Sequence, residues 1–227
     1  MKTLKLITIA LLMMNLSINS FSQAGLTFNI LGALPISDYG SDDINDENSG
    51  GAGIGIGIGM QYVRPLTPVG LGLFMGVDAI YGGLKNSIKD DFEESYESLY
   101  GSGIDFTWPK IFNIPISAGL NYTLETGGGG MGVFVNAGLT YNFLKLTNTI
   151  IEVNNVKVTA ETDLGSSLGF KIGGGIILNE RISVTVNYLG LGEHKMNAIM
   201  ESSLGDKEEY EEEQKIDIIT FGLGLRF

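Results

Sequence analysis

The chain has 227 residues, room for one ordinary domain or one barrel. It combines 33 Gly, no Cys and 44% hydrophobic residues with a formal net charge of -12, from 26 acids against 14 bases. The absence of Cys excludes a disulfide scaffold, a thiolate metal site and a lipid-bearing N-terminal Cys. The acidity argues against nucleic acid as a partner, because phosphate binding needs a basic surface.

The N-terminus has the pattern of a signal peptide over residues 1–22. Lys2 and Lys5 form the positive region, Leu6 to Met14 an uncharged apolar run, and Ser20, Ser22 and Ala24 the small positions. A cut after Ser22 or after Ala24 fits. The apolar run is too short to span a bilayer as a helix. Removing the two lysines leaves 12 bases against 26 acids, a mature charge of -14. The expected mature domain is 25–227.

Beyond residue 24 no uncharged apolar run is long enough for a membrane helix. Apolar residues instead alternate at period two in eight segments. Gly25 to Leu34 puts Leu26, Phe28, Ile30 and Leu34 on one parity. In Gly51 to Val63, Ile54, Ile56, Ile58, Met60 and Tyr62 alternate with Gly53, Gly55, Gly57, Gly59 and Gln61. Gly70 to Gly82 aligns Leu71, Leu73, Met75, Val77, Ala79 and Tyr81. Ile111 to Leu124 aligns Ile114, Ile116, Ala118, Leu120 and Tyr122. Met131 to Leu146 aligns Val133, Val135, Ala137, Leu139, Tyr141 and Phe143. Leu164 to Leu178 aligns Leu168, Phe170, Ile172 and Ile176. Arg181 to Leu191 aligns Ile182, Val184, Val186 and Tyr188. The last segment carries Ile219, Phe221, Leu223, Leu225 and Phe227.

The opposite parity is small or polar, with exceptions such as Phe74, Ile80, Phe134 and Ile177. Parity alone does not say which face is inside. A soluble barrel buries the apolar face, and a membrane barrel turns it outward. The connections decide. Pro35 to Gly50, Gly83 to Lys110 and Gly192 to Lys215 are long and acidic, and Thr147 to Asp163 is intermediate. Arg64 to Val69, Glu125 to Gly130 and Asn179 to Glu180 are short. Short turns at one end and long polar loops at the other are the asymmetry of outer-membrane barrels. The segments also reach the roughly 9–11 residues a tilted strand needs to cross a bilayer. The expected fold is all-β, an eight-stranded antiparallel up-and-down transmembrane β-barrel. Its short turns face the periplasm and its acidic loops face outward.

The chain resembles the outer-membrane β-barrel domain family of Bacteroidetes-type bacteria, including its PorT-like branch. Ile114-Pro115-Ile116 with Leu120-Asn121-Tyr122, the run Phe134 to Tyr141, and Leu168 to Leu178 followed by Ile182 to Gly190 carry the resemblance. Leu223, Leu225 and the terminal Phe227 resemble the signal read by the outer-membrane assembly machinery. The resemblance implies outer-membrane lipid and that machinery as partners, no shared catalytic residues, and an accessory role in secretion as one option.

Candidate chemistry is sparse. His194, the only histidine, falls in an expected external loop with no fixed nucleophile geometry. Gly127 to Gly132 matches G-x-G-x-x-G, but no helix follows, so it reads as a turn. Asp42, Asp43, Asn45, Asp46 and Glu47 cluster oxygen ligands of the kind that suits Ca²⁺. They lack the Gly and distal Glu of an EF-hand, and the expectation is a solvated loop, with no metal and no cofactor. The ladder Gly53, Gly55, Gly57 and Gly59 either admits bulky interior partners such as Phe74 or leaves a cavity. Asp78 and Lys171 fall on the inward parity at similar depth, so they are expected to pair.

An eight-stranded barrel is just wide enough for side chains to fill it. The expected function is therefore a non-enzymatic, monomeric surface or structural protein. Passive transport of small or apolar molecules is the alternative.

Overall fold

The computed structural model describes residues 25–43, 49–126, 130–153 and 156–227. The expected signal peptide, the Gly127 to Gly129 part of the glycine motif, and Asn45, Asp46 and Glu47 lie outside the described residues.

Eight long strands close into a ring: β1 (Gly25–Ile36), β2 (Gly55–Pro65), β3 (Leu71–Gly83), β5 (Lys110–Thr126), β6 (Met131–Leu146), β9 (Gly165–Leu178), β10 (Ile182–Ser202) and β11 (Lys207–Arg226). Every neighbouring pair is antiparallel, and β11 returns to pair with β1 from Thr27↔Arg226 to Ile36↔Asp217. Closure leaves no open edge in the wall, a condition for crossing lipid with strands. Among the described residues no helix is long and apolar enough to cross a membrane.

The outward parity is the apolar one. Ile30, Ile58 and Leu139 are 71%, 67% and 64% exposed, and the same belt runs round all eight strands. Such a surface would be costly in water at roughly 25 cal/mol per Å², and lipid removes that cost. Aromatics ring both margins of the belt. Tyr81 packs on Phe112, Tyr141 on Phe143 and Phe170 on Tyr188 toward the long loops. Phe28 and Phe227 meet edge-on at the short-turn end, with centroids 6.0 Å apart. The Tyr188 hydroxyl donates to Asp217 Oδ1 at 2.7 Å, and the Tyr141 hydroxyl to Ser166 Oγ at 2.9 Å. Apolar ring and wet tip are the combination favoured at a membrane interface.

The turn between β9 and β10 shows local chemistry at work. Asn179 and Glu180 both have positive φ (50° and 59°), and Arg181 N–H bonds back to the Leu178 carbonyl at 3.2 Å. Two left-handed residues in succession are the signature of a type I′ turn, which matches the twist of the strands it joins.

The long connections depart from the sequence reading, because they are folded. The first holds a one-turn helix, α1 (Ser37–Gly40). The third holds α2 (Asn86–Tyr100) and β4 (Asp105–Thr107). The fifth is a hairpin of β7 (Thr149–Val153) and β8 (Val156–Thr162). The seventh is mostly strand: β10 and β11 stay paired from Gly192↔Ile216 up to Glu201↔Lys207. Here β10 forks. Its lower part pairs with β9 and its upper part with β8, so a sheet β11-β10-β8-β7-β4 stands above the barrel at its long-loop end. The second expected segment also begins late. Gly51 to Ile54 lie outside β2, held by the Ala52–Leu84 bridge.

Candidate functional site

The barrel interior divides into two levels. The short-turn half is polar. Asn121, Asn136, Ser183 and Asn187 are buried there and surround a cavity of about 40 Å³. Asn121 Oδ1, Asn136 Oδ1 and Ser183 Oγ have no protein hydrogen-bond partner among the described residues. A polar space of that kind suits ordered water. Lys171 and Asp78 border it, with Lys171 Nζ 3.4 Å from Asp78 Oδ2 and both side chains nearly sealed.

Glycines create the room for these groups. A Cβ on Gly59 would run into Asp78 Oδ1, and one on Gly175 would stand 3.1 Å from the Phe134 ring. Along the ladder Gly59 makes room for Asp78, whereas a Cβ at Gly55 or Gly57 would meet the Tyr81 or Ala79 carbonyl of the neighbouring strand. The partner named from sequence, Phe74, is buried but is not what these glycines accommodate.

The other half of the interior is an apolar plug. Leu189 and Leu191 are 0% exposed, and Ile216, Ile218, Leu144, Ile80 and Ile111 pack with them. The first connection closes the top. Tyr39 of α1 and Ala52 belong to this cluster, and Ala52 N–H bonds to the Tyr39 carbonyl at 2.9 Å. The third connection braces it. Ser87 Oγ donates to Asp42 Oδ2 at 3.0 Å, and Lys85 Nζ is 3.6 Å from the same oxygen. The Ser87 hydroxyl and then the Lys85 charge hold the exposed Asp42 carboxyl below its ordinary range. Asp42 is therefore engaged with a neighbouring loop. Among the described residues no group of three or more His, Cys, Asp or Glu is placed to hold a metal ion.

His194 corrects the sequence reading most clearly. It lies in β10, fully buried, and not in a solvated loop. A bulge between Gly190 and Gly192 is responsible. Below it the even residues Val184, Val186 and Tyr188 face lipid. Above it, past the interfacial Tyr188, Glu193 and Lys195 face out while His194, Met196 and Ala198 are buried. One extra residue inverts every later side chain. Gly192 takes the left-handed conformation the bulge needs, with φ +80°, and a Cβ there would collide with the Leu168 carbonyl.

His194 ends a chain of side-chain hydrogen bonds across four elements. Asn113 Nδ2 donates to the Tyr39 hydroxyl at 3.1 Å, and Asn142 Nδ2 donates to Asn113 Oδ1 at 3.0 Å. Asn142 Nδ2 also lies 3.0 Å from His194 Nε2, which accepts if the ring proton sits on Nδ1. Burial pushes the imidazole below its ordinary range and the Tyr39 phenol up to about 12. Both groups are thereby kept neutral, as an apolar plug requires. The sequence held a hint of this. Asn113 and Asn142 fall on the inward parity of their strands, but neither Tyr39 nor His194 shares a segment with them.

The long-loop end carries an aromatic cluster that the acidic composition of its loop concealed. Phe92 and Tyr96 of α2 pack against Trp108 and Phe106. Phe106 and Trp108 stack with an interplanar angle of 4°. The spacing Ile88, Phe92, Tyr96 and Tyr100 is a helical stripe that could have been read from sequence.

No curated protein matches the chain in sequence. Among solved structures it is similar to a major outer membrane protein from Thermus thermophilus, at 14% identity and TM-score 0.52, over 90% of this chain and 100% of that one. It also aligns with the outer membrane protein OprG from Pseudomonas aeruginosa (12% identity, TM-score 0.49, 93% and 99% covered). Ail, the attachment invasion locus protein of Yersinia pestis, aligns at 10% identity and TM-score 0.43, with 90% and 97% covered. The first likeness agrees with the fold, and identities this low extend no further. Residues 8–227 match the family model described as the outer membrane protein beta-barrel domain, and the chain belongs to that family as an integral protein of the outer membrane.

Proposed function

We propose that this is a non-enzymatic outer-membrane protein that works through its external face and does not conduct solutes. The observation that carries the reading is the plug. Leu189, Leu191, Ile216 and Ile218 are sealed at 0–1% exposure across the lumen, with Tyr39 packed over them. A hydrophobic constriction already blocks ions by dewetting, and here side chains fill it. The fold places its elaboration outside the lipid belt instead, in α2, β4, β7, β8 and the raised ends of β10 and β11.

The reading is tested by reconstituting the purified protein in planar bilayers and in liposomes. The expected result is the conductance of the bare bilayer and no swelling with small sugars. Stable conductance steps or sugar-driven swelling would favour passive transport. Outer-membrane lipid, the assembly machinery and a monomeric state are proposed with it.

A further inference from the structure

The barrel wall has no free edge, but among the described residues the external sheet does. β1 stops pairing with β11 at Ile36↔Asp217, where the chain turns into α1. β11 nonetheless extends outward to Lys207, paired with β10 on one side. Between Lys207 and Glu213 every residue is exposed, and β10 is the only strand paired with this stretch among the described residues. Seven residues at about 3.4 Å each make an edge of roughly 24 Å. An edge of this kind presents backbone N–H and C=O groups ready for another strand.

Charge decides what can occupy it. The hairpin over residues 192–216 carries eight carboxylates against three lysines. Glu209, Glu211 and Glu213 share one face of β11, and Lys195 lies near the latter two while Lys207 reaches Glu209 at 2.6 Å. On the other face, Glu208 and Glu212 flank Tyr210. Like charges directly opposite destabilise a strand pair and opposite charges stabilise it. A second copy of this edge would set carboxylates against carboxylates. We propose that the β11 edge from Lys207 to Glu213 docks an extended basic segment of a partner protein by strand addition, backbone bonds giving the affinity and lysine or arginine side chains the selectivity. This rests on the surface-interaction reading above and names the chemistry of the partner.

The test uses the full protein in detergent micelles and a labelled synthetic decapeptide with lysine at every second position and valine between. Fluorescence anisotropy should show saturable binding, and hydrogen exchange should show new protection of the amides from Lys207 to Glu213. The same peptide N-methylated throughout keeps its charge but donates no backbone hydrogen bond, and it should bind at least tenfold more weakly. A peptide with glutamate in place of lysine should not bind. The variant Glu209→Gln/Glu211→Gln/Glu213→Gln changes exposed groups and should keep the fold, checked by heat-dependent gel mobility, while losing about tenfold in affinity. Equal binding of the methylated and unmethylated peptides would reduce the effect to charge attraction and overturn the proposal. So would absence of saturable binding, or protection of the edge by self-association without peptide. Conduction by the same preparation would overturn the surface reading and leave strand addition standing.

Discussion

Lys171 Nζ and Asp78 Oδ2 stand 3.4 Å apart inside the barrel, although 93 positions separate them in the chain. Their strands are not neighbours in the wall, so the contact crosses the lumen. Neutralising one partner strands the other charge in a nearly sealed site. Asp78→Asn should cost roughly 3–5 kcal/mol. Adding Lys171→Met should recover most of that loss. Urea unfolding in detergent, followed by tryptophan emission from Trp108 and by gel mobility, measures both. Equal stability of the single and double variants would show that the pair is not coupled.

Gly59→Ala probes the same site from the wall. The added Cβ would meet the Asp78 carboxylate, which cannot retreat without leaving Lys171. A loss of about 1–3 kcal/mol is expected, the usual cost of overpacking. Gly32→Ala is the control, because nothing lies within 4 Å of a Cβ there. It should unfold like the parent protein.

His194 makes the lumen plug acid-sensitive. Its folded pKa lies below the ordinary value of about 6.5 because burial disfavours the charged ring. Above that value neither state binds the proton and no penalty applies. Below it the unfolded chain takes up a proton that the folded ring resists. Stability is therefore lost as pH falls from about 6.5 toward the depressed folded pKa. The midpoint of the heat-dependent gel shift should drop between pH 7.5 and pH 5. In His194→Gln that drop should be smaller, the carboxylates common to both proteins accounting for the remainder.

Phe227 ties the strand it follows to the first strand of the ring. Its N–H donates to the Leu26 carbonyl at 2.8 Å, Leu26 N–H returns a bond at 3.2 Å, and its ring meets Phe28. Deleting Phe227 removes both backbone bonds at the seam and the aromatic end of the last strand. Membrane-inserted protein should fall severalfold, read by fractionation and gel mobility. Phe227→Tyr, which keeps ring and backbone, should assemble normally.

The sequence by itself determined the eight spanning strands, their outward apolar parity, the end with the short turns, and the shared depth of Asp78 and Lys171. Each follows from period-two geometry or from connection length, which are local properties. Tertiary structure decided the rest. A single bulge at Gly190 and Gly192 inverts parity, so His194 is buried where composition alone suggests a loop. Tyr39 caps the lumen because α1 folds back over a plug contributed by strands distant in sequence. Among the described residues β11 lacks a second partner beyond Asp217 because β1 ends at Ile36, ten positions before its partner does toward the long-loop end. Pairing partners, bulges and strand ends are set by contacts between remote segments, and no pattern within one segment encodes them.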